Sequence, residues 1–120
     1  MVTPQLRIIL TDLRGNEGAI SYMYGRLFGL RPDLKERYYS RISSSKMFDK
    51  VIDLLEGAET DSEINRVREL HLKLEVTSRE LQLYTTMFID TVITFCNKYL
   101  TKDILRELYS ICSKIIKRIT

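Results

Sequence analysis

Apolar residues in this chain recur with the period of an α-helix almost from end to end. Ile20, Tyr24, Leu27 and Phe28 fall at i, i+4, i+7 and i+8, so one stripe of a helix faces inward. The breaker pair Gly15-Asn16 sets its start near Glu17, and Pro32 forces its end. Pro32 itself suits the first position of a short helix over PDLKERY, because a first turn leaves that N–H unpaired anyway. Ahead of these, Thr3 and Pro4 begin a short helix through about Leu13. After the Ser-rich link Ser40 to Ser45, Met47, Val51 and Leu54 share one face of the next helix, with Phe48, Ile52 and Leu55 beside it. So wide an apolar arc predicts cover on two sides, and Gly57 stops the helix.

Two capping boxes punctuate the second half. Thr60 and Glu63 open a helix whose inward face carries Ile64, Val67 and His71. Thr77 and Glu80 open another, with Val76 and Leu81 placed as a hydrophobic staple across its start. From there Leu81, Tyr84, Phe88, Val92, Phe95 and Tyr99 describe one face of a helix of about five turns. After Thr101, Ile104, Leu108, Ile111, Ile115 and Ile119 face inward on the last helix. Lys114, Lys117 and Arg118 sit near its carboxyl end, where positive charge suits the helix dipole. No segment alternates as a strand does. The prediction is an all-α chain of six or seven helices.

At 120 residues the chain makes one domain, spanning 1–120, and 44% apolar against 29% charged residues is the balance of a folded domain. The net charge of +3 is spread among alternating signs, with no basic stripe, so no nucleic-acid partner is called for. The basic ending SKIIKRIT reads as dipole complement and solvation. No apolar run approaches the roughly 20 residues that cross a bilayer, so no membrane partner is called for either. Ile8 to Leu10 is flanked by charge with no small-residue cleavage site, unlike a signal peptide. Cys96 and Cys112 lack metal-type spacing and read as buried thiols in a reducing, cytoplasmic setting.

Most enzyme templates fail. There is no Ser/His/Asp signature, no Gly-rich phosphate loop, no HExxH and no EF-hand, and one histidine excludes a multi-histidine metal site. His71 is the informative residue, on an inward helical face just ahead of a well-specified helix start.

The segment HLKLEV followed by TSRELQLY resembles the globin stretch that carries the haem-ligating proximal histidine. Upstream, MYGRLFGLRPDLKERYY is similar to the corresponding region of bacterial single-domain globins and the globin domain of flavohaemoglobins. Tyr24, Leu27, Phe28, Pro32 and Tyr38 fall on its pattern. KMFDKVIDLLEGAE resembles that family's E helix in apolar spacing, and TKDILRELYSICSKII the start of its H helix. The matches run in order along essentially the whole chain. They imply a globin-like fold with a shortened first helix and short links around the E helix.

The resemblance implies a haem b cofactor ligated by His71 and a diatomic gas ligand, O₂ with NO or CO as alternatives, held beneath the phenol of Tyr24. It places Tyr38 at the haem edge, where the family carries Phe, with Tyr39 one residue out of register. Ser43 and Met47 fall at the distal gate and ceiling, and a Met47 that swung to the iron would make it six-coordinate. Val76 and Tyr84 would line the proximal pocket. Leu108 stands where the family has tryptophan, and Leu81 where flavohaemoglobins have a tyrosine that serves oxygen chemistry. These departures, and the lack of a reductase domain, imply gas binding and not an enzyme, with nitric-oxide dioxygenase activity requiring a separate reductase. They also leave open a haem-free globin-like regulatory or protein-interaction module, with a homodimer or protein partner undetermined. Arg66, Arg68, Glu69 and Arg79 read as a solvated face.

Overall fold

A computed structural model describes residues 2–38, 43–57 and 60–120. Among these residues the chain is all-α, with seven α-helices and no strand. Helix α1 covers Pro4–Leu13, α2 Glu17–Leu30, α3 Pro32–Tyr38, α4 Ser44–Glu56, α5 Asp61–Lys73, α6 Ser78–Cys96 and α7 Lys102–Ile119, with a 3₁₀ turn at Asn97–Tyr99.

Polar side chains start the helices by satisfying N–H groups that the first turn leaves unpaired. Asn16 accepts from the Ala19 N–H at 3.1 Å, Ser43 from Lys46 at 3.1 Å and Thr101 from Ile104 at 3.2 Å. Both capping boxes form in full. Thr60 and Glu63 exchange bonds of 3.2 and 3.1 Å, and Thr77 and Glu80 bonds of 3.1 and 3.0 Å. Gly57 ends α4 with φ 75°, a left-handed conformation that costs glycine nothing in steric strain.

The core lies where α1, α2, α4, α6 and α7 meet. Leu6, Ile9, Leu10 and Leu13 fill it from α1, Met23 and Leu27 from α2, Phe48 and Ile52 from α4, Phe88 and Val92 from α6, and Leu108 from α7. Phe48 and Phe88 pack ring against ring, their centroids 5.5 Å apart. Cys96 and Cys112 are buried free thiols, and burial pushes the Cys112 thiol up to about 12. Arg14 ties the end of α1 to Asp53 of α4 at 2.6 Å, and Arg118 ties the end of α7 to Asp61 at the start of α5 at 2.5 Å.

Two expectations from periodicity are corrected. Phe95 and Tyr99 are exposed: the buried stripe of α6 continues from Phe88 and Val92 to Cys96, which leaves Phe95 beside it, and Tyr99 falls in the 3₁₀ turn beyond the helix. Helix α4 is fully covered on one side only, because Phe48, Ile52 and Leu55 are buried while Met47, Val51 and Leu54 stay half-buried. The reason lies in the packing. Helix α4 rests on α1, α2 and α7, and α5 rests on α7, but among the described residues α4 and α5 share no extensive contact. Both helices thus stand on α7.

Candidate functional site

His71 belongs to the last turn of α5, and the turn that follows fixes its backbone. The Val76 N–H donates to the His71 carbonyl at 3.0 Å, and the Glu75 N–H to the Leu72 carbonyl at 3.2 Å. This is the six-to-one, five-to-two pairing of a Schellman motif, with Glu75 left-handed at φ 58°. The imidazole is half-buried, and its Nδ1 is buried with no hydrogen-bond partner. Burial lowers its pKa, and hydrogen bonding to the Ile119 backbone in the last turn of α7 raises it in part, leaving it below the usual histidine value. The ring is therefore held neutral, the form in which one nitrogen keeps a lone pair.

Tyr24 lies in the middle of α2 and is 3% exposed. Its hydroxyl meets that of Tyr84, in the second turn of α6, at 2.6 Å, with the rings edge to face at 5.9 Å. Phe28, one turn along α2, packs on the Tyr24 ring at 5.7 Å. Tyr84 thus stands with Tyr24, the residue expected over the gas. Helices α2 and α6 pack side by side, and that contact brings the two phenols together.

Tyr38 closes α3 half-buried, and its hydroxyl donates to Glu80 Oε1 at 3.0 Å. The Arg37 guanidinium lies over its ring at 4.7 Å. Ser43 is exposed and its hydroxyl is committed to capping α4, while Met47 and Val76 are half-buried. Tyr39 lies outside the described residues. The structure therefore pairs Tyr24 with Tyr84, joins Val76 to His71 through one turn, and uses the Ser43 hydroxyl as a cap. Arg66, Arg68, Glu69 and Arg79 are all exposed.

Sequence reasoning gave Glu80 only its capping role. Its buried carboxylate also accepts from Arg37 at 2.9 Å and Arg31 at 3.1 Å, so the start of α6 is fastened to both ends of α3. Nothing local in the sequence signals partners more than 40 residues away.

Does this residue set suit a haem? Among the described residues no group of three or more His, Cys, Asp and Glu could hold a bare metal ion. A lone imidazole can serve only a metal that brings its other ligands with it, as a porphyrin does. The unpartnered Nδ1 on the half-buried imidazole of His71 matches that requirement. The donor set fits the group. Among the described residues no helix is long and apolar enough to cross a membrane. No protein-family model matches this chain, and no curated protein is significantly similar to it.

Proposed function

We propose that the chain is a small globin-like domain that holds haem b through His71 and binds a diatomic gas, O₂ with NO or CO as alternatives, beneath Tyr24. The observation that carries this is the buried, unpartnered Nδ1 on the chain's single imidazole. A buried nitrogen without a partner costs free energy that a ligand bond offsets. The usual globin cleft lies between the family's E and F helices, and α4 and α5, which both rest on α7 with no extensive contact to each other among the described residues, support that reading.

When bound, haem supplies an iron with a coordination position for the gas. This chain's residues do the rest. His71 offers a neutral nitrogen because burial disfavours its charged form. Tyr24 offers a phenolic O–H in a dry setting, where a hydrogen bond to a partly negative ligand is stronger than in water. Met47 and Val76 present apolar surface that excludes water. The bond from Tyr38 to Glu80 fixes the Tyr38 ring between α3 and α6. Nitric-oxide turnover would enter only with a separate reductase.

The test is an absorbance spectrum of purified protein titrated with haem. A Soret band that His71→Ala abolishes or shifts markedly is expected; an identical spectrum from the variant would sink the proposal. Tyr24→Phe is expected to release O₂ faster in stopped-flow measurements, and an unchanged off-rate would remove Tyr24 from that role. A haem-free regulatory or protein-interaction module is the second reading. It is favoured by the bond already joining Tyr24 to Tyr84 and by the hold of the Ile119 backbone on the imidazole. Wild-type protein that is helical yet takes up no haem would select it.

A further inference from the structure

We infer that the end of the molecule formed by the last turn of α5 and the turn into α6 docks on an anionic lipid surface. Leu70, Leu72 and Leu74 enter the interface, and Arg66, Arg68, Lys73 and Arg79 meet the headgroup charge. The contact lies on the surface and needs no spanning helix, and it does not depend on the haem reading.

Exposed leucines gather at this end. Leu70 is 48% exposed, Leu72 64% and Leu74 40%, three large apolar side chains within five residues of chain. Leu70 and Leu72 stand about 200° apart around the helix axis and about 3 Å apart along it. Both are bare because α5 packs on α7 through a narrow side: Ile64 is its one buried residue, and the His71 ring lies against the Ile119 backbone. The tip of α5 therefore projects, with apolar surface on both flanks. A partner helix or groove would cover one flank and leave the other wet, whereas a fluid interface reaches both. Leu30, 61% exposed, adds to this end, because the neighbouring Arg31 is bonded to Glu80 in the first turn of α6.

Charge decides what kind of surface suits the tip. Elsewhere the arginines are paired: Arg14 with Asp53 and Glu56, Arg26 with Asp90, and Arg31 and Arg37 with Asp33 and Glu80. Among the described residues no ion pair reaches Arg66, Arg68, Lys73 or Arg79, and all four are exposed. Between 66 and 79 the acids are Glu69 and Glu75. Signs alternate along the sequence, but pairing across helices neutralises the other arginines and leaves this end positive. Long basic side chains around an apolar tip can lie along the interface with their charges at headgroup level. A second copy of the chain would bring the same positive charge to the contact and be repelled.

The chain has no tryptophan, so one introduced indole reports its own surroundings. Leu72→Trp should shift its emission to the blue on vesicles of equal parts phosphatidylserine and phosphatidylcholine, and not on phosphatidylcholine alone. Tyr99→Trp, at an exposed site beyond the other end of α6, should shift on neither. In vesicle flotation, the double variant Leu70→Ser with Leu72→Ser, and separately Arg79→Glu, should each bind about tenfold more weakly than the wild type. Lys102→Glu, the same charge change at the start of α7, should stay within about twofold, and wild-type binding should fall as salt rises. Helicity by circular dichroism is expected to be unchanged in every variant, since all these positions are exposed. No blue shift on the anionic vesicles, equal shifts at the two reporter sites, or equal losses from Arg79→Glu and Lys102→Glu overturn the inference. So does a dimer in sedimentation equilibrium that Leu72→Ser dissolves, which would assign the leucines to a second copy.

Discussion

Glu80 sits in the first turn of α6 with its carboxylate buried and four donors around it: the Thr77 N–H, the Tyr38 hydroxyl and the guanidinium groups of Arg31 and Arg37. Burial pushes its pKa up, but the Thr77 N–H, Tyr38 and Arg37 together outweigh burial and hold it below the usual glutamate value. A carboxyl depressed on folding adds stability that is present above its unfolded value and is lost as pH falls through the folded one. Asp33, held at about 2 chiefly by its bond to Arg31, stays ionised through most of that fall. The wild type should therefore lose stability as pH drops below about 4.5. Glu80→Gln should be about 2 kcal/mol less stable at pH 7 and should lose less than the wild type on acidification. Urea midpoints at pH 7, 5 and 3.5 check this; parallel curves for the two proteins would contradict it. The same carboxylate accounts for the hydroxyl at Tyr38, where the resemblance leads one to expect Phe.

At the scale of the element, starts were legible in the sequence and two ends were not. Thr60, Thr77 and Thr101 each bond an N–H three residues ahead, an interaction that needs no tertiary partner. Thr77→Ala should cost about 1 kcal/mol in thermal or chemical unfolding. Gly57, at φ 75° with open space where a Cβ would stand, should lose about 1 kcal/mol as Gly57→Ala from backbone strain alone. The end of α5 lacked any such signal, since Glu75 occupies the left-handed position where glycine is usual. Glu75→Gly should then leave stability unchanged or raise it by up to about 1 kcal/mol; a clear loss would show that the Glu75 side chain holds the turn. Periodicity also misjudged the far end of α6, where Cys96 and not Phe95 continues the buried stripe of Phe88 and Val92.

For the whole molecule, α7 is the common support of α1, α4, α5 and α6. Leu108, fully buried at its middle, is the place where loss of volume should be felt most widely. Leu108→Ala should cost about 3 kcal/mol, measured by urea unfolding. If haem binds the folded chain through His71, its addition should raise the melting temperature of the wild type and not of His71→Ala.

The amino-acid sequence by itself determined the helices, their caps and their inward faces, because periodicity and capping act within four or five residues of chain. It also singled out His71 and Tyr24, one by rarity and one by resemblance. Tertiary structure alone decided that Tyr84 meets Tyr24 across 60 residues, that Arg31, Arg37 and Tyr38 converge on Glu80, and that α4 and α5 both rest on α7. Which side chains meet across helices depends on packing angle and register, and these are set by how the apolar faces of all seven helices fit together at once.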